Sequence, residues 1–442
     1  MKKKRLKLTS SRIIILGFAA VILLGSFLLM LPFSTREAGG ASFQDALFTA
    51  VSACCVTGLV VQDTATYWSG FGQGIILLLI QIGGMGVVTF AVLFSLAAKQ
   101  KISLKQRGLM QEAISAPQLG GIVRLTGFII TTTAILELAG AVGLAPVFCR
   151  EFGLWRGLWY SLFHSVSAFC NGGFDLMGVR TQFSSLTSYA ASPLVNLVIM
   201  ALIIAGGIGF MTWDDLKTNR LRLQRYRMQT KVVLVTSVVL LVLPAVYFYF
   251  FEFAALAPGE RFWGSLFQSV TARTAGFNTL DFNTMSEGGL GVMILLMLTG
   301  GSPGSTAGGM KVTTLAVMAS TALAIFRRQE DTHFFGRRVE EETVRSAMAI
   351  LTLYLTLFFF GGLLISRVEQ LPLLTCLFES ASAVGTVGVT LGITSQLGPL
   401  SRFVLILLMY AGRVGALTVV FAALSGGRSN SARLPREKLI VG

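Results

Sequence analysis

The sequence predicts an all-α integral membrane protein: four pseudo-repeated helix–pore helix–helix units around one pore, with eight transmembrane helices. Three observations carry that expectation. The 442-residue chain is 53% hydrophobic and only 13% charged, where a soluble domain carries about a quarter charged residues. Apolar runs long enough to cross about 30 Å of hydrocarbon fall near residues 12–33, 73–98, 122–148, 193–213, 230–251, 287–325, 344–366 and 400–424. Between them, four short amphipathic stretches each end in a turn on a small residue and glycine. They read LFTAVSACCVTGL from Leu47, LFHSVSAFCNGGF from Leu162, LFQSVTARTAGF from Leu266 and LFESASAVGTVGV from Leu377. An internal repeat of this kind sets the whole fold.

Taken in order, residues 1–11 form a cytoplasmic basic segment and 12–108 the first pore repeat. The second repeat covers 109–228, the third, with a broken inner helix, 229–342, and the fourth 343–425, before a cytoplasmic basic tail over 426–442. The first apolar run follows MKKKRLK but is longer than the roughly 7–15 residues of a signal peptide, and no Ala-x-Ala site follows. It is therefore expected to remain as a span.

Basic residues gather in alternate connections. These are Lys2–Lys4, Arg5 and Lys7; Lys99, Lys101, Lys105 and Arg107; and Lys217, Arg220, Arg222, Arg225, Arg227 and Lys231. Then come Arg327, Arg328, Arg337, Arg338 and Arg345, and finally Arg428, Arg433, Arg436 and Lys438. This positive-inside pattern puts both termini in the cytoplasm and all four turns outside, in a multi-pass protein of the cell inner (plasma) membrane. The net charge of +15 is thus explained by topology. The expected partner is the lipid bilayer, and no nucleic acid. Cys54, Cys55, Cys149, Cys170 and Cys376 lack metal-site spacing and read as small packing residues.

The four turns are Val56-Thr57-Gly58, Asn171-Gly172-Gly173, Thr274-Ala275-Gly276 and Thr386-Val387-Gly388. Glycine permits the positive φ that aims successive carbonyls at one axis. A ring of such carbonyls can replace the hydration shell of a potassium ion. Each preceding stretch has about 10 residues, too short to span, and irregular backbone at membrane depth needs a cavity. From the leading Phe to the last Gly is 10 residues in three repeats and 9 in the third (Phe267–Gly276), so the ring is expected to be pseudo-symmetric.

A second glycine signal follows each turn: Gly83-Gly84-Met85-Gly86, Gly206-Gly207-Ile208-Gly209, Gly300-Gly301, and Gly412-Arg413-Val414-Gly415. The first two suggest close helix packing. The third opens TGGSPGSTAGGMKVTT, a composition that cannot hold a regular helix. Its residues Gly300, Gly301, Ser302, Pro303, Gly304, Ser305, Thr306, Ala307, Gly308, Gly309 and Lys311 read as a flexible loop across the cavity beneath the turns. Met310 separates glycine from lysine, and neither a following Ser/Thr nor a preceding strand completes a phosphate loop, so this chain itself is expected to bind no nucleotide.

Arg413 lies mid-span, where an ionisable group is functional by default. It would repel cations locally or hydrogen-bond the carbonyls of the broken third span, with Lys311 sharing the task. Arg273 is placed to brace the third turn from behind. Asp63, Asp175 and Asp281 follow three of the turns and either concentrate cations at the mouth or are solvated surface charges. Glu379 is read as beginning the fourth pore helix. With only two histidines, His164 and His333, and no carboxylate pair within a span, no catalytic residues and no enzyme are expected.

Val-Thr-Gly-Leu, Asn-x-Gly-Phe-Asp, Arg-Thr-Ala-Gly-Phe-Asn and Gly-Thr-Val-Gly, with the broken third inner helix and Arg413, resemble the Trk/Ktr/HKT potassium transporter superfamily. A single span before the first turn makes the chain most similar to the KtrB-like membrane subunits. The resemblance implies a bacterial potassium uptake system with channel-like, selective permeation of K+ as substrate through a selectivity filter of the four turns. It implies a homodimer, each subunit with its own pore, and a cytosolic nucleotide-binding regulatory ring (KtrA-like) on the basic inner face. It makes the loop from Gly300 to Lys311 the gate, with Arg413 its anchor. Members with serine at the first filter glycine tend toward sodium; here Gly58, Gly173, Gly276 and Gly388 favour potassium. Gly172 departs from the alanine of many relatives. Na+ activation fits the same family, as does a sodium- or proton-coupled potassium symporter, and nothing in the turns separates these.

Overall fold

The computed structural model describes residues 10–37, 39–90, 93, 104–114, 121–220 and 222–415. The basic clusters at Lys2–Lys4, Lys99, Lys101 and the 426–442 tail lie outside them.

Helix α1 (Ser10–Leu29) is followed by the short α2 (Phe43–Cys54) and by α3 (Gly70–Met85). Two serines define these starts: Ser42 accepts from the Asp45 N–H and Ser69 from the Gly72 N–H, each satisfying a free donor of a first turn. After α4 (Leu104–Ile114), the same long–short–intermediate order returns in α5 (Ile122–Phe152), α6 (Leu154–Phe169) and α7 (Pro193–Gly207), which α8 (Phe210–Asn219) follows. It returns again in α9 (Met228–Tyr247), α10 (Pro258–Thr271) and α11 (Glu287–Leu298), then α12 (Val312–Phe326). The last round is α13 (Glu341–Glu369), α14 (Leu373–Gly385) and α15 (Pro399–Val414). Between α12 and α13, His333–Phe334 pairs antiparallel with Arg337–Arg338.

By length and composition four helices among the described residues can cross a membrane: Ser11–Leu29, Ile122–Phe152, Met228–Glu252 and Glu341–Glu369. The run expected over 193–213 is instead a pair of helices bent by 95°. The reason is one residue, Gly209, at φ 95°. Gly86 (φ 85°) ends α3 and Gly415 (φ 90°) ends α15 at the corresponding place, and in the third round Gly304 (φ 65°) lies within a wholly non-helical segment. A hydropathy run cannot register such a break, because glycine in the left-handed region is as apolar as glycine in a helix.

Helix α3 packs against α6, α7 against α10, α11 against α14, and α15 against α2, so the contacts close on themselves. An ion pair between Arg402 on α15 and Asp45 on α2, 3.1 Å, ties the last contact. The phenylalanine of each Leu-Phe pair (Phe48, Phe163, Phe267 and Phe378) is fully buried and anchors its short helix in the core. These short helices have 12, 16, 14 and 13 residues, one turn or so beyond the expected length, because Ser42, Gly153, Pro258 and Pro372 start them upstream of Leu-Phe.

Candidate functional site

All four short helices end at the glycine turns. In every turn the first residue has positive φ: Val56 (57°), Asn171 (59°), Thr274 (70°) and Thr386 (51°). So has the last: Gly58 (92°), Gly173 (67°), Gly276 (85°) and Gly388 (97°). Non-glycine residues seldom occupy this region, and its use four times at one position is a built-in constraint. Alternating the sign of φ turns successive carbonyls toward the same side.

The turns face one another. A Cβ on Gly58 would fall 2.8 Å from the Gly172 carbonyl oxygen, one on Gly173 2.8 Å from that of Ala275, and one on Gly276 2.6 Å from that of Val387. One on Gly388 would fall 2.0 Å from the Thr57 oxygen, which returns to the first turn. Each glycine thus abuts the carbonyl of the next turn's middle residue, and four such contacts make a closed ring. The absence of a side chain is what lets the backbones approach this closely.

A hydroxyl in the last turn of each short helix holds its glycine turn. Ser52 accepts from the Gly58 N–H at 3.1 Å and Ser382 from the Gly388 N–H at 3.0 Å. Ser167 donates to the Phe174 carbonyl at 2.8 Å, and Thr271 to that of Phe277. The same four residues accept backbone bonds from Thr57 (2.8 Å), Gly172 (2.6 Å), Val387 (2.8 Å) and Ala275 (3.0 Å). The bond of the third repeat, Ala275 to Thr271, spans four residues rather than five, and this absorbs its one-residue-shorter turn. Sequence reasoning saw the interleaved Ser/Thr but not this role; the signal was a hydroxyl five or six residues before each glycine. Replacing Ser52 or Ser382 with Ala leaves a buried N–H without its partner, which costs about 1–3 kcal/mol. Each variant is expected to lower the thermal unfolding midpoint in detergent; an unchanged midpoint would contradict the tether.

In the second, third and fourth repeats the residue after the Leu-Phe pair bonds the chain leaving the turn. His164 Nε2 lies 3.3 Å from the Leu176 N–H, and Gln268 donates to Thr279 Oγ1 at 3.5 Å. Glu379 accepts from Thr390 Oγ1 at 2.8 Å and from Thr394 Oγ1. Glu379 is therefore mid-helix and fully buried, not at the helix start as its sequence position suggested, because α14 begins at Leu373. Arg273 braces the third turn from behind: its guanidinium reaches Ser237 on α9 at 3.2 Å.

One side of the ring opens into a cavity of about 850 Å³, into which Gly58, Gly173, Gly276 and Gly388 all face. Asp63, Asp175 and Asp281 line it. Asp63 is committed to structure, since Oδ1 accepts from the Ala65 and Thr66 N–H groups and Oδ2 from that of Phe183, 2.9 Å, joining two outer loops. Asp281 caps the turn at Asn283.

The glycine-rich segment between α11 and α12 lies on the other side. Composition suggested flexibility, but the segment is pinned by its backbone. Ser302 and Thr306 donate to the Gly207 and Gly206 carbonyls at 3.0 and 3.2 Å, Gly309 to that of Gly412 at 3.3 Å, and Gly300 to that of Met310 at 2.7 Å. A Cβ on Gly308 would fall 2.0 Å from Thr386 Oγ1, so the segment touches the fourth turn directly. Lys311 Nζ folds back on the Ala307 and Gly308 carbonyls at 2.8 and 3.3 Å. The Arg413 guanidinium donates to the carbonyl of Thr306 and to those of Gly83 and Gly84, the last at 3.2 Å. One side chain of α15 therefore clamps the segment to α3. Below it Arg413, Lys311 and Gly304 line a second cavity of about 270 Å³.

The described residues contain no group of three or more His, Cys, Asp or Glu placed to hold a metal ion. What the ring presents is backbone oxygen at the negative ends of four helices, which suits a desolvated monovalent cation.

A family model for cation transport proteins, TrkH, matches residues 8–431. The chain is 38% identical to the potassium/sodium uptake protein NtpJ of Enterococcus hirae, over 100% of this chain and 99% of that one. It is 39% identical to the Ktr system potassium uptake protein B of Bacillus subtilis, over 99% and 98%. Its fold is similar to that of the potassium transporter TrkH from Vibrio parahaemolyticus, with a TM-score of 0.72 at 19% identity over 95% of this chain and 86% of the other.

Proposed function

Because this chain belongs to the TrkH family of cation transport proteins, a transporter and not an enzyme, we propose that it is the potassium-translocating membrane subunit of a bacterial uptake system. The observation that carries the reading is the closed ring of four glycine turns between two cavities. In this reading Val56-Thr57-Gly58, Asn171-Gly172-Gly173, Thr274-Ala275-Gly276 and Thr386-Val387-Gly388 form the selectivity filter of a channel-like pore. Eight spans in four units, bounded at 12–108, 109–228, 229–342 and 343–425, surround it. The segment Gly300–Lys311 is the gate and Arg413 its latch.

The subunit would dimerise, each copy with its own pore, in the plasma membrane with both termini in the cytoplasm. Relatives named as protein B and protein D of a Ktr system support a multi-component assembly. A cytosolic nucleotide-binding, KtrA-like ring would be the regulator. Exposed Arg222, Arg225, Arg227, Arg327, Arg328 and Arg337 gather on connections away from the glycine ring and offer it a basic docking face. Sodium in the name of the Enterococcus relative favours one second reading, potassium symport coupled to sodium or, as for other coupled carriers, to protons. Coupled uptake collapses with the driving gradient, whereas channel-like uptake follows the potassium electrochemical gradient alone.

Expression in a potassium-uptake-deficient bacterium, with and without a KtrA-like partner, tests the function. The expected result is growth at limiting potassium. A correctly inserted chain that fails to rescue growth under both conditions would overturn it.

A further inference from the structure

Away from the ring, a cavity of about 370 Å³ opens between α3 and α6, at the end of the bundle where both helices begin. Arg36, Arg156, Tyr160, Trp159 and Gln73 line it. Its floor is built: Trp159 Nε1 donates to Gln73 Oε1 at 3.0 Å, and Gln73 Nε2 donates to the Trp68 carbonyl at 3.2 Å. Two guanidinium groups share this space, and among the described residues neither is paired with a carboxylate. Arg156 sits in the first turn of α6, where the unsatisfied N–H groups already create positive potential. Two like charges in one cavity repel one another unless an anion lies between them.

A second observation points the same way. Most of the Tyr160 side chain is packed away, while its hydroxyl borders the cavity and has no hydrogen-bond partner among the described residues. This leaves an unused donor on the wall of a cationic cavity. The rim is apolar and exposed: Phe33 and Phe71, in edge contact at 4.8 Å, on one side, and Leu154, Trp155 and Val179 on the other. Exposed tryptophan beside basic residues is the composition of a protein surface at the headgroup level of a bilayer.

We propose that this cavity binds the phosphate of an anionic phospholipid from the leaflet at the end of the bundle where α3 and α6 begin. Arg36, Arg156 and the Tyr160 hydroxyl hold the headgroup, and the acyl chains run along the exposed apolar faces of α5 and α6. The bound lipid bridges the first and second units, whose turns are neighbours in the ring. The proposal rests on the membrane-spanning reading above, but it is tested without any ion gradient, so its failure leaves the transport assignment intact.

Native mass spectrometry of the full-length chain, titrated with phosphatidylglycerol or phosphatidylcholine, measures the effect. Wild type should prefer phosphatidylglycerol, and the Arg36→Gln/Arg156→Gln double variant should lose roughly tenfold in affinity for it, the expected size for a charge-assisted contact. Arg261→Gln, which removes a guanidinium stacked on Tyr249 at the same end, should not. Tyr160→Phe keeps the ring and packing and should lower phosphatidylglycerol retention several-fold, which tests the site even where the double variant fails to fold. Retention unchanged in Tyr160→Phe and in a folded double variant would overturn the site. Displacement of the lipid by millimolar inorganic phosphate would overturn the lipid assignment in favour of a free anion; no displacement supports it.

Discussion

Gly388→Ser is expected to abolish selective potassium uptake. Two costs combine at this position. A residue with a Cβ in the left-handed region is strained by about 1–2 kcal/mol, and Gly388 stands at φ 97°. The added atom would also lie 2.0 Å from the Thr57 carbonyl oxygen, the tightest of the four ring contacts, against 2.6 Å at Gly276 and 2.8 Å at Gly58 and Gly173. Neither partner can yield cheaply, since both are backbone and both turns are tethered through Ser52 and Ser382. The Thr57 oxygen must therefore turn from its place, and the ring loses one ligand. A loss of at least about 1.4 kcal/mol of discrimination, a factor of ten, should appear as a fall in the potassium-to-sodium permeability ratio. Gly58→Ser and Gly276→Ser should act in the same direction with smaller effect. A permeability ratio unchanged in Gly388→Ser would mean that the ring does not select the ion.

Arg413→Ala should raise resting potassium flux. The guanidinium joins Thr306 of the glycine-rich segment to Gly83 and Gly84 of α3. Each hydrogen bond from a charged group to a carbonyl contributes about 1.5–3 kcal/mol, so losing the latch shifts the segment toward displaced states by roughly tenfold or more. Removing a buried positive charge from the proposed ion path would act in the same direction. Arg413→Lys should not restore control, because an ammonium is a point charge and cannot span two elements as a planar fork does. Flux through the unregulated subunit in liposomes checks both variants. Equal flux in wild type and Arg413→Ala would remove the segment and its latch from gating.

Much of the site was legible because it is written in glycine. The four turns, the broken helix after Leu298 and Arg413 within an apolar run each violate what an apolar helix tolerates, and each violation survives in the sequence as a residue type. Partners were not legible. Arg413 was expected to meet the carbonyls of the third unit; that it also holds Gly83 and Gly84, some 330 positions away, depends on ring closure that spacing alone does not express. The 95° bend at Gly209 was hidden by uniform hydropathy. Glu379 was misplaced because alignment on Leu-Phe drew attention from Pro372, whose fixed φ begins the helix before Leu373. His164 and Gln268 share a position behind their turns that spacing alone does not express.

The most direct measurement of the central claim is the reversal potential of the purified chain in liposomes under opposed potassium and sodium gradients, for wild type and Gly388→Ser side by side. The account predicts a wild-type potential set by potassium and a shift toward zero in the variant. A wild-type potential indifferent to potassium, or one that Gly388→Ser leaves in place, would contradict it.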